Sequence, residues 1–134
     1  MTILYLDIEI FSENYESEKE FDLNEITKII SIQYKKENGE LVILKEWTSG
    51  EREILQQFYD DIRKMRERDK WITVVGHNLL RFDIPLLIQR MTHHHIDSLG
   101  NLNNFFHNII VVDSMQCLLP FNDFRFKGLG VEDL

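Results

Sequence analysis

The segment at residues 3–11, ILYLDIEIF, constrains the fold of this chain more than any other. Its β-branched and aromatic residues predict a strand, and apolar residues at odd and even positions predict that both of its faces are buried. Asp7 and Glu9 lie two residues apart, so their side chains leave the same face and can converge on one point. Buried acids without a partner are unstable, and Mg²⁺ or Mn²⁺ would remove that cost because these ions prefer oxygen ligands. The alternative is a solvent-facing strand whose polar positions are acidic.

Length and composition limit the class of protein. The chain has 134 residues, which is the size of one domain, and its 43% apolar and 28% charged residues are typical of a globular protein. A formal net charge of −8 argues against broad, nonspecific binding to duplex phosphates, so any nucleic-acid contact has to be local. The single cysteine, the absence of a basic and apolar leader and the absence of a run of roughly 18 apolar residues predict a soluble protein of the reducing cytoplasm with no membrane contact.

Strand-like runs follow the first strand and predict an antiparallel meander. Runs at residues 29–36 and 40–47 flank Asn38 and Gly39, and Asn-Gly is the strongest short signal for a tight hairpin turn. The stretch between the first two strands, residues 12–25, carries six carboxylates and is predicted to be an exposed connection.

The rest of the chain alternates helices with strands. Thr48 and Glu51 have the spacing of a capping box, which predicts the start of a helix. Apolar residues at helical spacing give that helix one buried face, formed by Ile54, Phe58, Ile62 and Met65. The remaining predicted elements are a strand at 71–75, a helix at 82–91 with Pro85 in its first turn, a strand at 108–112 and the start of a helix at 114–119. The order βββαβαβ implies an α/β fold with a mixed sheet and helices on both faces.

A third acid lies where a strand gives way to a helix. In the segment 76–87, GHNLLRFDIPLL, Asp83 is expected in the first helical turn. It either caps the helix, a common use of Asp at such a position, or acts together with the acids of the first strand. Asn78 and Arg81 could donate hydrogen bonds to a phosphate or sugar. Phe82 either packs into the core or stacks on a base.

Taken together, these segments resemble the 3′-to-5′ exonucleases of the DEDD superfamily, which share the ribonuclease H-like fold. The nearest variety is the proofreading exonuclease domain of family B DNA polymerases. The sequence DIE at positions 7–9 matches that family's first motif. The residues HN at 77–78 and FD at 82–83, with the trailing Pro85 and Leu87, match its second. The two motifs occur in the right order, and the resemblance covers nearly the whole chain.

The resemblance implies a single exonuclease-like domain over residues 1–134, with a five-stranded sheet in the order 3-2-1-4-5. Its implied activity is hydrolysis of phosphodiester bonds at single-stranded 3′ ends of DNA or RNA. Asp7 would bridge two divalent metal ions, Mg²⁺ or Mn²⁺, Glu9 would hold one of them, and Asp83 would support the second through water. Two such ions about 3.5 to 4 Å apart can activate a water and stabilise the leaving oxygen.

The family's third motif, an Asp on a later helix with a Tyr or His shortly before it, is not found before Leu134. Asp113 matches a position that is often acidic in the family but lies outside the catalytic set. Glu132 and Asp133 come too early for the motif, and Ile10 stands where the family commonly has a small hydroxyl residue. The chain is therefore expected to lack the family's C-terminal helix. It is an exonuclease in which another acid substitutes, one completed by a downstream segment or partner chain, or an inactive nucleic-acid-binding module.

Three further features have ordinary explanations. The side chains of His93, His94 and His95 would point about 100° apart on a helix and cannot all face one ion, which predicts a solvated helix end. Cys117 lies in apolar surroundings and is predicted to be an inert core thiol. The stretch at 121–127, which interleaves aromatic and cationic residues, either touches single strands or closes the sheet as an apolar loop.

Overall fold

The structure is a computed structural model that describes residues 1–12 and 28–130. Most of the connection predicted at 12–25, together with Glu132 and Asp133, lies outside the described residues. Among the helices of the described ranges, none has the length and apolarity needed to cross a lipid bilayer.

Five strands form one mixed sheet in the order β3-β2-β1-β4-β5. They are β1 (Thr2–Phe11), β2 (Lys28–Lys36), β3 (Leu41–Lys45), β4 (Ile72–Gly76) and β5 (Ile110–Asp113). The first three strands pair antiparallel, and β4 and β5 extend the sheet in parallel from β1. This confirms the predicted α/β class and strand order.

The helices lie between and after these strands. They are α1 (Glu46–Ser49), α2 (Glu51–Arg68), α3 (Ile84–His93), α4 (Leu99–His107) and α5 (Ser114–Leu118), with a π-helical turn at Leu79–Asp83 and a 3₁₀ turn at Leu119–Asn122. Of these, α4 is absent from the sequence prediction, because its sequence LGNLNNFFH contains few strong helix formers. The Ser98 hydroxyl caps it by accepting a hydrogen bond from the Asn101 N–H at 3.1 Å, and Leu102 and Phe106 anchor it in the core.

Two details of the predicted meander and first helix are wrong. Residues 46–47 begin α1 rather than ending the third strand, and Trp47 is exposed. Thr48 lies inside α1 and does not cap α2. The residue before α2 is Gly50, whose φ of 86° turns the chain between the two helices, a conformation that side chains other than glycine rarely adopt. The Glu51 carboxylate is used elsewhere, as described below.

The hydrophobic core lies between one face of the sheet and the helices. Alternate residues of β1 point into it, namely Leu4, Leu6 and Ile8. The predicted apolar face of α2 packs there, with Ile54, Phe58 and Ile62 buried and Met65 half-buried. The residues between them on β1, Tyr5, Asp7 and Glu9, are exposed. The prediction that both faces of β1 are buried is therefore wrong, because the described residues cover the second sheet face only in part.

That second face carries exposed apolar side chains on β1 itself and on the two edge strands. They are Tyr5, Leu41, Ile43, Ile110 and Val112. The start of α5 borders this face, since Ser114 lines a groove of about 480 Å³ together with Tyr5 and Asp7. Asp7 thus lines an open groove rather than lying on a flat surface.

Gly76 ends β4 where the strand meets β1. A Cβ atom at this position would lie 2.7 Å from the Leu6 carbonyl oxygen and 2.7 Å from Leu79 Cδ2. Because one of these atoms is backbone, we expect Gly76→Ala to lower the free energy of unfolding by about 1–3 kcal/mol. Gly100→Ala in α4, where nothing lies within 4 Å, is the matched control and should be neutral or stabilising. Equilibrium unfolding in urea measures both, and equal stability of the two variants would contradict the prediction.

Candidate active site

Four polar side chains lie together on the open face of β1 and β2. In the antiparallel register, Asp7 lies opposite Gln33, and Glu9 lies opposite Ser31. The register shifts directly after Glu9. Such a β-bulge re-aims side chains and is common beside active sites. The extra residue of this bulge is Ile30 on β2, next to Ser31, which lies opposite Glu9.

Asp83 completes the predicted set of acids. It follows β4, which pairs with β1 on the side away from β2. It ends the π-helical turn that precedes α3, and only 3% of its surface is exposed. Its side chain makes no capping hydrogen bond to α3, so the capping explanation is wrong. Within the part of the chain that the structure describes, Asp83 Oδ2 is buried without a hydrogen-bond partner. Burial, followed by the charges of Asp7 and Asp113, raises the pKa of Asp83 to about 8.

Asp7 is the acid that links the other two. Burial of its carboxylate in the groove raises the pKa of Asp7, and the Glu9 charge raises it further. The side chain as a whole is exposed, so this burial reflects the walls of the groove rather than core packing. Because the charge of Asp7 also raises the pKa of Asp83, Asp7 is coupled electrostatically to each of the other two acids.

The oxygen ligands of Asp7, Glu9 and Asp83 suit a hard divalent cation, although they do not surround one common point. Within residues 1–12 and 28–130, no three His, Cys, Asp or Glu side chains converge closely enough to hold a metal ion. The acids nevertheless offer the carboxylate oxygens that Mg²⁺ and Mn²⁺ prefer, and one of those oxygens is buried and unpaired. A cation would turn their mutual repulsion into attraction. The residues present therefore fit such a group.

Asp113 holds the loop that leads to Asp83. It is 3% exposed at the end of β5. Its Oδ1 accepts hydrogen bonds from the N–H groups of Asn78 at 2.7 Å and Met115 at 3.0 Å, and its Oδ2 accepts one from Leu80 at 3.0 Å. Since Asn78 has a φ of 61°, these bonds stabilise a left-handed turn that few residues adopt. Sequence reasoning noted this acid without finding its role in the loop.

His77 joins the same loop to the end of the described chain. Its Nε2 lies 2.5 Å from the Leu129 carbonyl oxygen. Because a carbonyl only accepts, Nε2 carries the hydrogen, and Nδ1 accepts the Ser114 hydroxyl hydrogen at 2.7 Å. His77 and Ser114 both line the groove beside Asp7. One wall of the groove is therefore hydrogen-bonded into a fixed position.

The structure places the three predicted substrate-binding residues around this loop. Asn78 Oδ1 is buried and, among the described residues, unpaired. Arg81 is exposed, and its guanidinium lies 3.8 Å from the centre of the Phe126 ring. Phe82 is half-buried and packs against the hydrophobic core, as the packing alternative predicts. Their contact with a substrate stays a prediction.

The three consecutive histidines at the end of α3 differ in exposure. His93 and His95 are exposed, as the predicted solvated helix end requires. His94 differs, because its Nε2 lies 2.6 Å from Glu51 Oε1 and its side chain is only 23% exposed. The prediction of a solvated end is therefore wrong for His94.

Glu51 is a buried acid whose role sequence reasoning missed. It accepts hydrogen bonds from the Ile29 N–H at 2.5 Å, from Arg90 Nε at 2.9 Å and from Arg90 Nη2 at 2.5 Å, in addition to its contact with His94. Burial alone would raise the pKa of Glu51, but the hydrogen bonds from Arg90, His94 and Ile29 lower it. The residue joins the starts of β2 and α2 to the end of α3, and its partners are too distant in sequence to leave a local signal.

The residues that follow β5 are more exposed than predicted. Cys117 is exposed, so the prediction of an inert core thiol is wrong, because α5 is short and buries only Met115. Phe121 and Phe124 are 88% and 74% exposed, which contradicts an apolar loop that closes the sheet at these two rings.

Comparisons with known proteins agree with this architecture. The five-stranded sheet in the order 3-2-1-4-5 carries acids on its first strand and before the helix that follows its fourth, as expected from the sequence. The chain matches the family described as DNA polymerase family B, exonuclease domain, over residues 2–123. This protein therefore belongs to the exonuclease domains of family B DNA polymerases.

A solved structure supports the fold independently. The family B DNA polymerase from the hyperthermophilic archaeon Pyrobaculum calidifontis is similar to this chain, with a TM-score of 0.51 and 22% sequence identity. The similarity covers 74% of this chain and 12% of that polymerase, so the chain spans only a small part of the polymerase's length. No curated protein matches the chain.

Proposed function

We propose that this chain is a divalent-metal-dependent 3′-to-5′ exonuclease that hydrolyses phosphodiester bonds at single-stranded nucleic-acid ends. The observation that carries the proposal is the placement of the acids: Asp7 and Glu9 leave the same face of β1, and the buried Oδ2 of Asp83 has no hydrogen-bond partner among the described residues. The charge of Asp7 raises the pKa of Asp83, which supports their proximity. Membership of the exonuclease family supports the same reaction class.

In this proposal the three carboxylates have separate roles. Asp7 and Glu9 would hold one ion of Mg²⁺ or Mn²⁺, and Asp7 would also hold a second, which Asp83 would support through water. Such ions, when bound, supply an activated water and stabilise the leaving oxygen. The protein's own part is to fix the acids, through the β-bulge after Glu9 and the loop held by Asp113.

The 3′ end of the nucleic-acid substrate would lie in the groove beside Asp7. Its wall at His77 is already held by hydrogen bonds, so the groove does not have to be ordered when the substrate binds. Asn78 and Arg81 would donate hydrogen bonds to a phosphate or sugar, and the edge of the Phe82 ring would contact a base. Because the chain has a net charge of −8, phosphate binding depends on cations at the acids to reverse the local field.

The assay uses single-stranded oligonucleotides labelled at the 3′ end, with Mg²⁺ or Mn²⁺ and with EDTA in parallel. We expect release of the labelled 3′ nucleotide that requires metal and that Asp7→Ala abolishes. A 5′-labelled copy should shorten in single-nucleotide steps, which establishes the direction, and DNA and RNA versions identify the substrate.

The second candidate is a noncatalytic nucleic-acid-binding module of the same fold. It is favoured by the finding that, in the described ranges, no three ligands converge on one point. A folded protein that binds the oligonucleotide but releases no nucleotide with either metal would support this candidate against the exonuclease. Activity that appears only when a downstream segment or partner chain is added would show that the site is completed from outside residues 1–134.

A further inference from the structure

Buried oxygen atoms without a hydrogen-bond partner occur, among the described residues, on β2, in the loop after β4 and in the turn before α3. In the described part of the chain, three buried side-chain nitrogen or oxygen atoms are unpaired: Gln33 Oε1, Asn78 Oδ1 and Asp83 Oδ2. Gln33 lies opposite Asp7 in the sheet, Asp83 is electrostatically coupled to Asp7, and Asn78 lies in the loop before Asp83. The amide oxygens of Gln33 and Asn78 can only accept a hydrogen bond. Unpaired buried groups in a native protein call for a specific reason, such as an ion or water that satisfies them.

Gln33 is the one of these residues to which neither motif of the family gives a role. It lies on β2 directly opposite Asp7, where side chains of a cross-strand pair are about 4.5–5.5 Å apart at Cβ. Both residues line the open groove. The side chain of Gln33 is therefore a direct neighbour of the acid that links the cluster.

The amide of Gln33 is bonded to Ser31. Its Nε2 donates a hydrogen bond to Ser31 Oγ at 2.6 Å. Ser31 is 1% exposed and lies opposite Glu9, so the anchor of the amide is itself fixed in the sheet. Oε1 takes no hydrogen from Lys35, the next residue on the same face, or from any other described group.

The neighbours across the strand pair, Asp7 and Glu9, are carboxylates that accept rather than donate when ionised. Among the described residues no group donates a hydrogen bond to Gln33 Oε1, so this oxygen is available to a bound ligand. A water bound to a divalent cation is such a ligand, because its oxygen is engaged by the metal and both hydrogens face outward. Mg²⁺ typically keeps several of its waters when carboxylates bind it.

We propose that Gln33 is a positioning residue of the metal site, whose Oε1 accepts a hydrogen bond from a water bound to the cation at Asp7. This inference rests on the proposed function and adds a residue on a different strand to its site. Partners of this kind orient the ligands of a metal, and their loss typically weakens metal binding by about 10- to 100-fold.

The test measures Mn²⁺ binding without any nucleic acid, by electron paramagnetic resonance of free Mn²⁺ and by calorimetry. Gln33→Leu removes the acceptor at similar size and should weaken Mn²⁺ affinity about tenfold or more. Gln33→Glu keeps an acceptor oxygen and should retain wild-type affinity or exceed it. Gln57→Leu makes the same chemical change at an exposed position of α2 and should leave the affinity unchanged. Circular dichroism and urea unfolding confirm that each variant is folded.

The outcomes separate this inference from the proposed function. If the wild type binds Mn²⁺ and degrades the oligonucleotide while Gln33→Leu binds Mn²⁺ equally well, the role of Gln33 is overturned and the exonuclease stands. Weaker oligonucleotide binding by Gln33→Leu with unchanged Mn²⁺ affinity also overturns it. The Gln33 amide would then contact the nucleic acid instead of the metal-bound water. A folded wild type that binds no Mn²⁺ overturns both proposals.

Discussion

Replacing Asp83 with Asn is expected to lower activity and raise stability at the same time. The activity of the proposed exonuclease should fall by about 10²–10³-fold, the scale found when one group that stabilises transition-state charge is removed. Asn keeps the shape of the side chain but not the charge that would hold a cation. The release of labelled 3′ nucleotide under saturating Mg²⁺ measures this loss.

The gain in stability follows from the burial of this acid. In the metal-free protein the pKa of Asp83 is about 8, against 3.8 for the ordinary carboxyl group. Between these values the folded chain holds a proton that the unfolded chain has released, so stability decreases as the pH rises through this window. One such proton changes the free energy of unfolding by about 1.4 kcal/mol per pH unit. Asn cannot titrate, so the variant loses this decline.

Urea unfolding with EDTA at pH 5, 6.5 and 8 tests the prediction. Asp83→Asn should be the more stable protein at pH 8, by an amount on the order of a few kcal/mol that shrinks toward pH 5. Asp123→Asn, the same substitution at an exposed position, is the matched control and should keep the pH dependence of the wild type. Parallel stability curves for the wild type and Asp83→Asn would show that the buried acid is not the source of the decline.

The parts of the fold that the sequence predicts are those encoded by neighbouring residues. Asn38 and Gly39 predict the hairpin between β2 and β3, which forms. Its turn is centred one residue earlier than the Asn-Gly pair, on Glu37 and Asn38. The Gly39 N–H donates to the Lys36 carbonyl oxygen at 2.9 Å, and Asn38 has a φ of 64°. The apolar face of α2 follows from a 3.6-residue period, and Ile54 and Phe58 are buried as that period requires. Both signals lie within a few residues of the structure they determine.

The burial of β1 is harder to predict because it depends on what covers the sheet. A run of apolar residues on both faces is typical of a strand between two layers. In the described residues the helices α2, α3 and α4 cover one face, while Tyr5 and Val112 on the other are 45% and 41% exposed. The sequence shows that a face is apolar but does not show which element packs on it.

The candidate site is predictable only in its charged residues. Asp7, Glu9 and Asp83 can be found because acids are unusual in an apolar strand and at the start of an apolar helix. Gln33 cannot be found this way, since its place opposite Asp7 depends on the register between two strands. Asp113 likewise acts on a loop 33 to 35 residues earlier in the chain.

Replacing Glu51 is expected to have the largest effect on stability. The side chains of Glu51 and Arg90 are 7% and 14% exposed, and Arg90 Nε and Nη2 both donate to the carboxylate. Glu51→Gln leaves a buried guanidinium without its counter-charge, so the free energy of unfolding should fall by about 3–5 kcal/mol. Glu53→Gln is the matched control on the same helix. Its exposed ion pair with Arg52, at 3.8 Å, should contribute less than about 1 kcal/mol.

The pH dependence of this effect is opposite in sign to that of Asp83. Because the pKa of Glu51 is lowered in the folded chain, its stabilisation is present above the unfolded pKa near 4.5 and is lost as the pH falls through the folded value. The wild type should therefore lose more stability than Glu51→Gln on acidification below about pH 5. Urea unfolding at pH 3, 4, 5 and 7 measures the difference, and a constant gap between the two proteins would contradict it.

A double variant separates the attraction between the two charges from the penalty of leaving one unpaired. Glu51→Leu alone strands the Arg90 guanidinium, and Arg90→Leu alone strands the carboxylate, although His94 and the Ile29 N–H still bond to it. When both are replaced no buried charge remains, so the double variant should lose less stability than the sum of the two single losses. Strict additivity in urea unfolding would mean that Glu51 stabilises the junction through His94 and Ile29 rather than through Arg90.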